Sequence, residues 1–208
     1  MRHYYRDRSP VYDEVYAYPE RQNDLRYLAA KIPFLLAKRH VLEIAAGTGY
    51  WTEVISQSAD HILATDREVM QLDKIAARVL CCDVEVQEAD AYRLKEAIHG
   101  SFSGAFAGLW LSHVPRQHVE GFLSSLHERL EPGARVVLLD NALTQCNRFP
   151  IAFTDDYGNT YQDRMLDQGK TYSVLKNFPT REELVSWSGA GDSEYRLLEN
   201  YWLYHYIL

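Results

Sequence analysis

The sequence predicts a doubly wound α/β domain on a mostly parallel sheet that closes with an antiparallel strand pair. Three observations carry this. Short β-type runs alternate with amphipathic helical stretches through the middle of the chain, the pattern of a parallel sheet. One run, Val136 to Leu139, is continuously apolar, as a strand covered on both faces should be. The last two runs, Tyr195 to Leu198 and Trp202 to Leu208, flank Glu199-Asn200 and read as a hairpin.

Taken in order, the first helix follows Pro19. Leu25, Leu28, Ala29 and Ile32 recur at helical spacing, and Pro33 is expected to end or kink it. His40 to Ile44 is the first strand, followed by a small-residue turn and a helix from Trp51 to Ser58. His61 to Thr65 is the second strand, ending at Asp66, with Val69, Met70, Leu72, Ile75 and Ala76 marking a helix after it. Val84 to Glu88 and Ala105 to Leu109 are the third and fourth strands. Between the fourth and fifth, Val119, Phe122, Leu123, Leu126 and Leu130 form one helical face, stopped by Glu131-Pro132-Gly133. From Asn141 to Phe178 the chain turns polar. Thr160 to Leu166 and Thr171 to Leu175 are expected to pair around Asp167-Gln168-Gly169-Lys170. Thr180 then caps a helix, with Glu183 in capping-box position and Gly189 at its end.

Length and composition narrow the function classes. The 208 residues suit one domain, and 47% hydrophobic with 25% charged residues is ordinary for a soluble globular protein. No apolar run is long enough for a membrane span, and the polar, aromatic N-terminus lacks a signal-peptide core. Three cysteines, two of them adjacent, argue against a disulfide framework and for a cytoplasmic setting. His113 and His118 have zinc-finger spacing but no C-x-x-C partner, so no metal is expected. The net charge of −7, with basic residues scattered among acids, disfavours nucleic acid as a partner. The oligomeric state, monomer or homodimer, is left open. The 15 tyrosines are, one by one, best explained as half-buried packing residues.

The sharpest local signal is Val41-Leu42-Glu43-Ile44-Ala45-Ala46-Gly47-Thr48-Gly49-Tyr50-Trp51, an apolar strand running into Gly-x-Gly and a helix. A dinucleotide site requires G-x-G-x-x-G, and Thr52 holds the third glycine position, so that fingerprint fails. With Glu43 at its acidic position, the segment resembles the acidic-x-x-x-Gly-x-Gly motif of class I, Rossmann-like S-adenosylmethionine-dependent methyltransferases. Asp66 lies nineteen residues past Gly47 at a strand end, Asp90-Ala91 follows the third strand, and Leu109-Trp110-Leu111-Ser112-His113 follows the fourth. All fall at carboxyl ends of successive strands, where open α/β sheets bind ligands.

The resemblance covers Val41 to Asp140 and implies a seven-stranded Rossmann-like sheet. It divides the single domain, 1–208, into a helical arm (1–39), a cofactor-binding core (40–140), a substrate lid or hairpin (141–178), and a final helix with closing strands (179–208). It implies S-adenosyl-L-methionine as cofactor and S-adenosyl-L-homocysteine as product. The cofactor contacts implied around the first strand are Glu43, Ala45, Gly47, Gly49 and Trp51. Beyond it they are Asp66 and Arg67 near the ribose, Asp90 and Ala91 at the adenine, and Trp110. A proton leaving an N- or O-acceptor calls for a base, for which His113 is the candidate. Tyr4, Tyr5, Tyr161 and Tyr172 are substrate candidates, and Tyr12 is a further aromatic of the N-terminal arm that could cover the cofactor. The implied acceptor is a small molecule. Three rivals stand beside this reading: a fold relative that binds or senses S-adenosylmethionine without transferring methyl, a nicotinamide oxidoreductase, and a non-catalytic interaction domain on this fold. The features at 159–162 and 175–179 mark a subgroup to which the sequence attaches no substrate.

Overall fold

The computed structural model describes residues 9–165 and 169–208. Strands β1 (His40–Ile44), β2 (His61–Asp66), β3 (Asp83–Glu88), β4 (Phe102–Gly108), β5 (Leu130–Asn141), β9 (Ser193–Leu197) and β10 (Tyr201–Ile207) form one sheet. Its order is β3-β2-β1-β4-β5-β10-β9. β1 to β5 run parallel, and β10 is antiparallel to both β5 and β9. The strand order reverses between β1 and β4, which leaves a crevice at their carboxyl ends. β6 (Phe153–Thr154), β7 (Thr160–Met165) and β8 (Thr171–Leu175) make a separate antiparallel sheet.

Strand alternation sorts the side chains into two buried layers. Leu42 and Ile44 of β1, with Trp202, Tyr204 and Tyr206 of β10, pack under α5 (Arg116–His127) and α6 (Arg181–Ser188). Val41 of β1, with Tyr201 and Leu203 of β10, packs under α1 (Gln22–Leu36) and α2 (Tyr50–Ser56). Each large aliphatic side chain so covered contributes about 1.5–3 kcal/mol. The β10 tyrosines are therefore core, their rings inside and their hydroxyls bonded where possible: Tyr204 pairs with Ser188 Oγ at 2.8 Å and Tyr206 with His127 Nε2 at 2.7 Å.

The helix after Thr180 has both capping-box bonds, Glu183 N to Thr180 Oγ1 at 3.2 Å and Thr180 N to Glu183 Oε2 at 2.8 Å. Gly189, at φ 63°, ends it. Three expectations fail. α1 runs through Pro33 to Leu36, because burying Leu35 and Leu36 outweighs one lost backbone bond. The helix after β2 shrinks to α3 (Val69–Leu72) and a 3-10 turn at Ile75–Ala77, with Val69 and Met70 exposed. Leu130 opens β5 rather than closing α5, since it pairs with Phe102 of β4. Between them, Leu94–Ala97 forms the short helix α4. Among the described residues no helix is long and apolar enough to cross a membrane.

Candidate functional site

A cavity of about 240 Å³ opens where β1, β2, β3 and β4 end. Its floor is built by the bend after β1. Ala45 and Gly47 take left-handed backbone angles, φ 54° and 58°. The bend is pinned by Ala46 N to Thr65 O (2.9 Å) and by Gly47 N to Asp66 Oδ2 (3.0 Å). The other Asp66 oxygen accepts from Glu68 N at 2.8 Å. Burial raises the Asp66 carboxyl above its ordinary value, and these backbone donors oppose the rise. One carboxylate thus holds the β1 bend and the β2 exit together, with lone pairs remaining for a ligand.

Asp90 lies beyond β3, folded back by Tyr92 N to Asp90 Oδ1 at 3.0 Å, and its other oxygen lies 3.5 Å from Arg67 Nη1. Beyond β4, Leu109 is left-handed at φ 56°, held by its N–H on Leu139 O at 2.7 Å. A non-glycine residue in that region stores strain, and such positions gather at functional sites. Trp110 follows, its ring edge-on to Tyr92.

Of the residues singled out from sequence, Ala45, Gly47, Asp66 and Arg67 line the cavity, as do Asp90, Ala91, Trp110 and His113. Glu43, Gly49 and Trp51 do not. Glu43 points to the other face of β1 and is fully covered; burial pushes its carboxyl up to about 8, against the Thr52 hydroxyl and with help from the Asp66 charge. Gly49, at φ 80°, lets α2 sit on Ile75: a Cβ there would lie 2.7 Å from Ile75 Cγ1. Trp51 packs against Tyr16, Tyr50 and Phe106 in the core. Tyr161 stacks on Phe153 and donates to Asp155, away from the cavity. Tyr172 pairs with Arg164 across the β7–β8 hairpin, under Lys170, and does not line it either. Tyr4 and Tyr5 lie outside the described residues. Tyr12 does line the cavity.

His113 is buried, and its Nδ1 lies 2.6 Å from Leu175 O. A carbonyl only accepts, so Nδ1 carries the proton and Nε2 the lone pair. Burial, then the Lys176 charge, pushes the imidazole down to about 3, against Asp140 and the Leu175 carbonyl. Burial thus favours the neutral imidazole near neutrality. The 159–162 and 175–179 features hold it there. Asn177 donates to Val114 O and Asn159 Oδ1, both at 3.1 Å, and its backbone N–H to Ser112 O at 2.8 Å. These bonds weld the hairpin to the loop that follows β4.

Sequence reasoning missed the far wall. Lys176 Nζ meets Asp140 Oδ1 at 2.9 Å and Ser112 Oγ at 2.7 Å, with both charged groups buried. Asp140 also accepts from the N–H groups of Ser112 (2.9 Å) and Asn141 (2.8 Å). Burial would raise its carboxyl, but Lys176 and these donors hold it below the ordinary range. The one hint in the sequence was that the chain turns polar from Asn141 to Phe178.

Residues 41–133 match a family model described as a methyltransferase domain. A protein-L-isoaspartate O-methyltransferase of Bradyrhizobium sp. (strain ORS 278) is 33% identical over 101 residues, 47% of this chain and 43% of that protein. The chain thus matches less than half the length of that curated relative. Among solved structures, a DhpI–SAH complex superposes with TM-score 0.78 at 22% identity, over 97% of this chain and 92% of that one. A DhpI–SAM–HEP complex gives 0.76 at 23% identity, over 97% and 93%. An S-adenosylmethionine-dependent methyltransferase from Clostridium acetobutylicum ATCC 824 gives 0.67 at 14% identity, over 98% of each chain.

Proposed function

We propose that this chain is a class I, Rossmann-like S-adenosylmethionine-dependent methyltransferase and that it methylates a small-molecule acceptor on nitrogen or oxygen; the methyltransferase-domain match over residues 41–133 and the shared fold support the first part. The observation that carries the reading is the single cavity at the strand ends. It brings the Gly47 bend, Asp66, Asp90 with Ala91, and Trp110 onto one surface. These residues fit an adenosyl sulfonium. Asp66 offers acceptor capacity to two ribose hydroxyls, Asp90 and the Ala91 N–H suit the adenine edge, and Trp110 and Tyr92 supply flat apolar walls.

When bound, the cofactor supplies an electrophilic methyl on a leaving group that needs no protein help. The protein's task is then alignment: well-oriented reactions gain about 7–11 kcal/mol from it. The Asp66–Gly47 bond fixes one end of the seat. The Asn177 bonds fix the loop carrying His113 at the other. His113, held by the Leu175 carbonyl, forms part of the wall at that end. The 141–178 segment, whose hairpin stands over this end, covers the acceptor, and Tyr12 closes the side from the N-terminal arm.

The test is incubation with methyl-labelled S-adenosylmethionine and a panel of small alcohols, amines and acids, beside an isoaspartyl peptide. Label in a small molecule and none in the peptide is the expected result. Label only in the peptide would place the acceptor on a protein. Cofactor binding with no turnover on any acceptor would favour a binding role.

A further inference from the structure

A second, smaller cavity of about 40 Å³ adjoins the first, sharing Tyr12, Leu109 and His113 with it. Leu109 follows β4, and Asn141, which also lines the cavity, is the last residue of β5. Arg21, Arg164 and Lys176 line part of it, and Lys176 is already engaged by Asp140 and Ser112. Asn141 and Gln145 bring a different chemistry. Gln145 sits on the 3-10 turn Leu143–Asn147, and its Nε2 donates to Asn141 Oδ1 at 2.9 Å. That bond leaves the Asn141 Nδ2 donor and the Gln145 Oε1 acceptor, both buried and neither with a hydrogen-bond partner among the described residues. Asn141 itself is 4% exposed. Turning both amides over exchanges the two roles and still leaves one donor and one acceptor. Buried amide groups left half-bonded are costly, and folded proteins complete them with a ligand or a water. A carboxylate only accepts and an ammonium only donates, so neither completes this pair. A hydroxyl or a primary carboxamide does both.

We propose that the methyl acceptor carries a compact neutral group, a hydroxyl or a primary carboxamide, that seats in the smaller cavity and is read by Asn141 and Gln145, which makes these two the specificity-determining residues of the acceptor site. This rests on the methyltransferase reading above. The group gives its O–H or N–H to the free amide oxygen and accepts an N–H from the free amide nitrogen. Asn141 is held firmly for this role: its backbone pairs with Tyr201 of β10, and its N–H donates to Asp140 Oδ1 at 2.8 Å. Neither amide exchanges a proton with the molecule, so the contact selects and orients it without entering the transfer. A molecule seated this way extends past Tyr12, Leu109 and His113, the residues common to both cavities, and presents its far end to the cofactor seat.

The test is saturation-transfer NMR on protein loaded with S-adenosylhomocysteine, using the methyl signals of acetamide, ethanol, acetone and acetamidinium. Saturable transfer to acetamide or ethanol is expected, and none to acetone, which only accepts. Whichever of the two saturates at lower concentration identifies the group. Gln145→Leu raises the half-saturation concentration of that probe roughly tenfold or more, on protein that still binds S-adenosylhomocysteine. Gln145→Glu leaves the pair with two acceptors, so acetamide and ethanol weaken while acetamidinium, which only donates, gains. A purely structural Gln145 would not produce that reversal. Acetone saturating as readily as the other two overturns the inference alone. So does the absence of any saturable probe on protein that binds S-adenosylhomocysteine, the pair then holding water only. An unmoved Gln145→Leu variant, or a Gln145→Glu variant with no gain for acetamidinium, does the same. Failure to bind S-adenosylhomocysteine at all overturns the function reading beneath it.

Discussion

The two adjoining cavities are built in opposite ways. The larger is acidic, with Asp66, Glu68 and Asp90 on its wall, and nearly all of it comes from the ends of consecutive parallel strands. The smaller is lined by Arg21, Arg164 and Lys176, drawn from the N-terminal helical region, the small second sheet and the residue just past it. The first is a property of the sheet; the second belongs to segments attached to it. The larger cavity therefore depends on strand register, and the smaller on how those segments pack onto the sheet.

The comparison can be broken at several points. The largest effect is expected at the basic wall. Lys176→Met strands Asp140 in the interior and should cost about 3–5 kcal/mol of stability in urea unfolding. The double variant Lys176→Met with Asp140→Asn should recover much of it. At the acidic wall, Asp66→Ala removes two bonds that hold backbone, and with them the carboxylate proposed to meet the ribose. S-adenosylhomocysteine affinity should drop by about 2–3 kcal/mol, roughly 30- to 150-fold by calorimetry. A Gly49→Ala variant meets Ile75 in a left-handed conformation and should lose about 1–2 kcal/mol of stability, with little direct effect on either cavity's lining.

The smallest effect is a pH slope. Glu43 holds its proton in the folded chain up to about 8. Its contribution is therefore full below the ordinary carboxylate value and is lost as pH rises through 8, by at most about 1.4 kcal/mol per pH unit. His113 acts oppositely: held at about 3, it contributes above the ordinary histidine value and loses that contribution as pH falls from there. Thermal unfolding of Glu43→Gln should thus be flat from pH 6.5 to 8 and decline only below, whereas the parent declines above as well.

How much of this was legible follows from the same contrast. Gly47, Asp66, Asp90 and Trp110 could be placed because each sits a few residues past an apolar run, and parallel strands bring such points together whatever connects them. Glu43 and Trp51 belong to the same motif yet miss the cavity. Strand alternation turns Glu43 to the other face, and the first turn of α2 turns Trp51 into the core. The basic wall was illegible. Arg21, Arg164 and Lys176 are separated by long stretches of chain, and scattered charges betray no convergence until the hairpin folds back onto the loop after β4. The acidity of protonated His113 was hidden as well, since it comes first from burial and then from the Lys176 charge, neither visible in the local sequence.

The most direct test of the central claim is calorimetric titration of the purified protein with S-adenosylhomocysteine, with NAD in parallel. A saturable one-to-one isotherm for S-adenosylhomocysteine and none for NAD is the predicted result. No saturable heat with S-adenosylhomocysteine, or a preference for NAD, would contradict it.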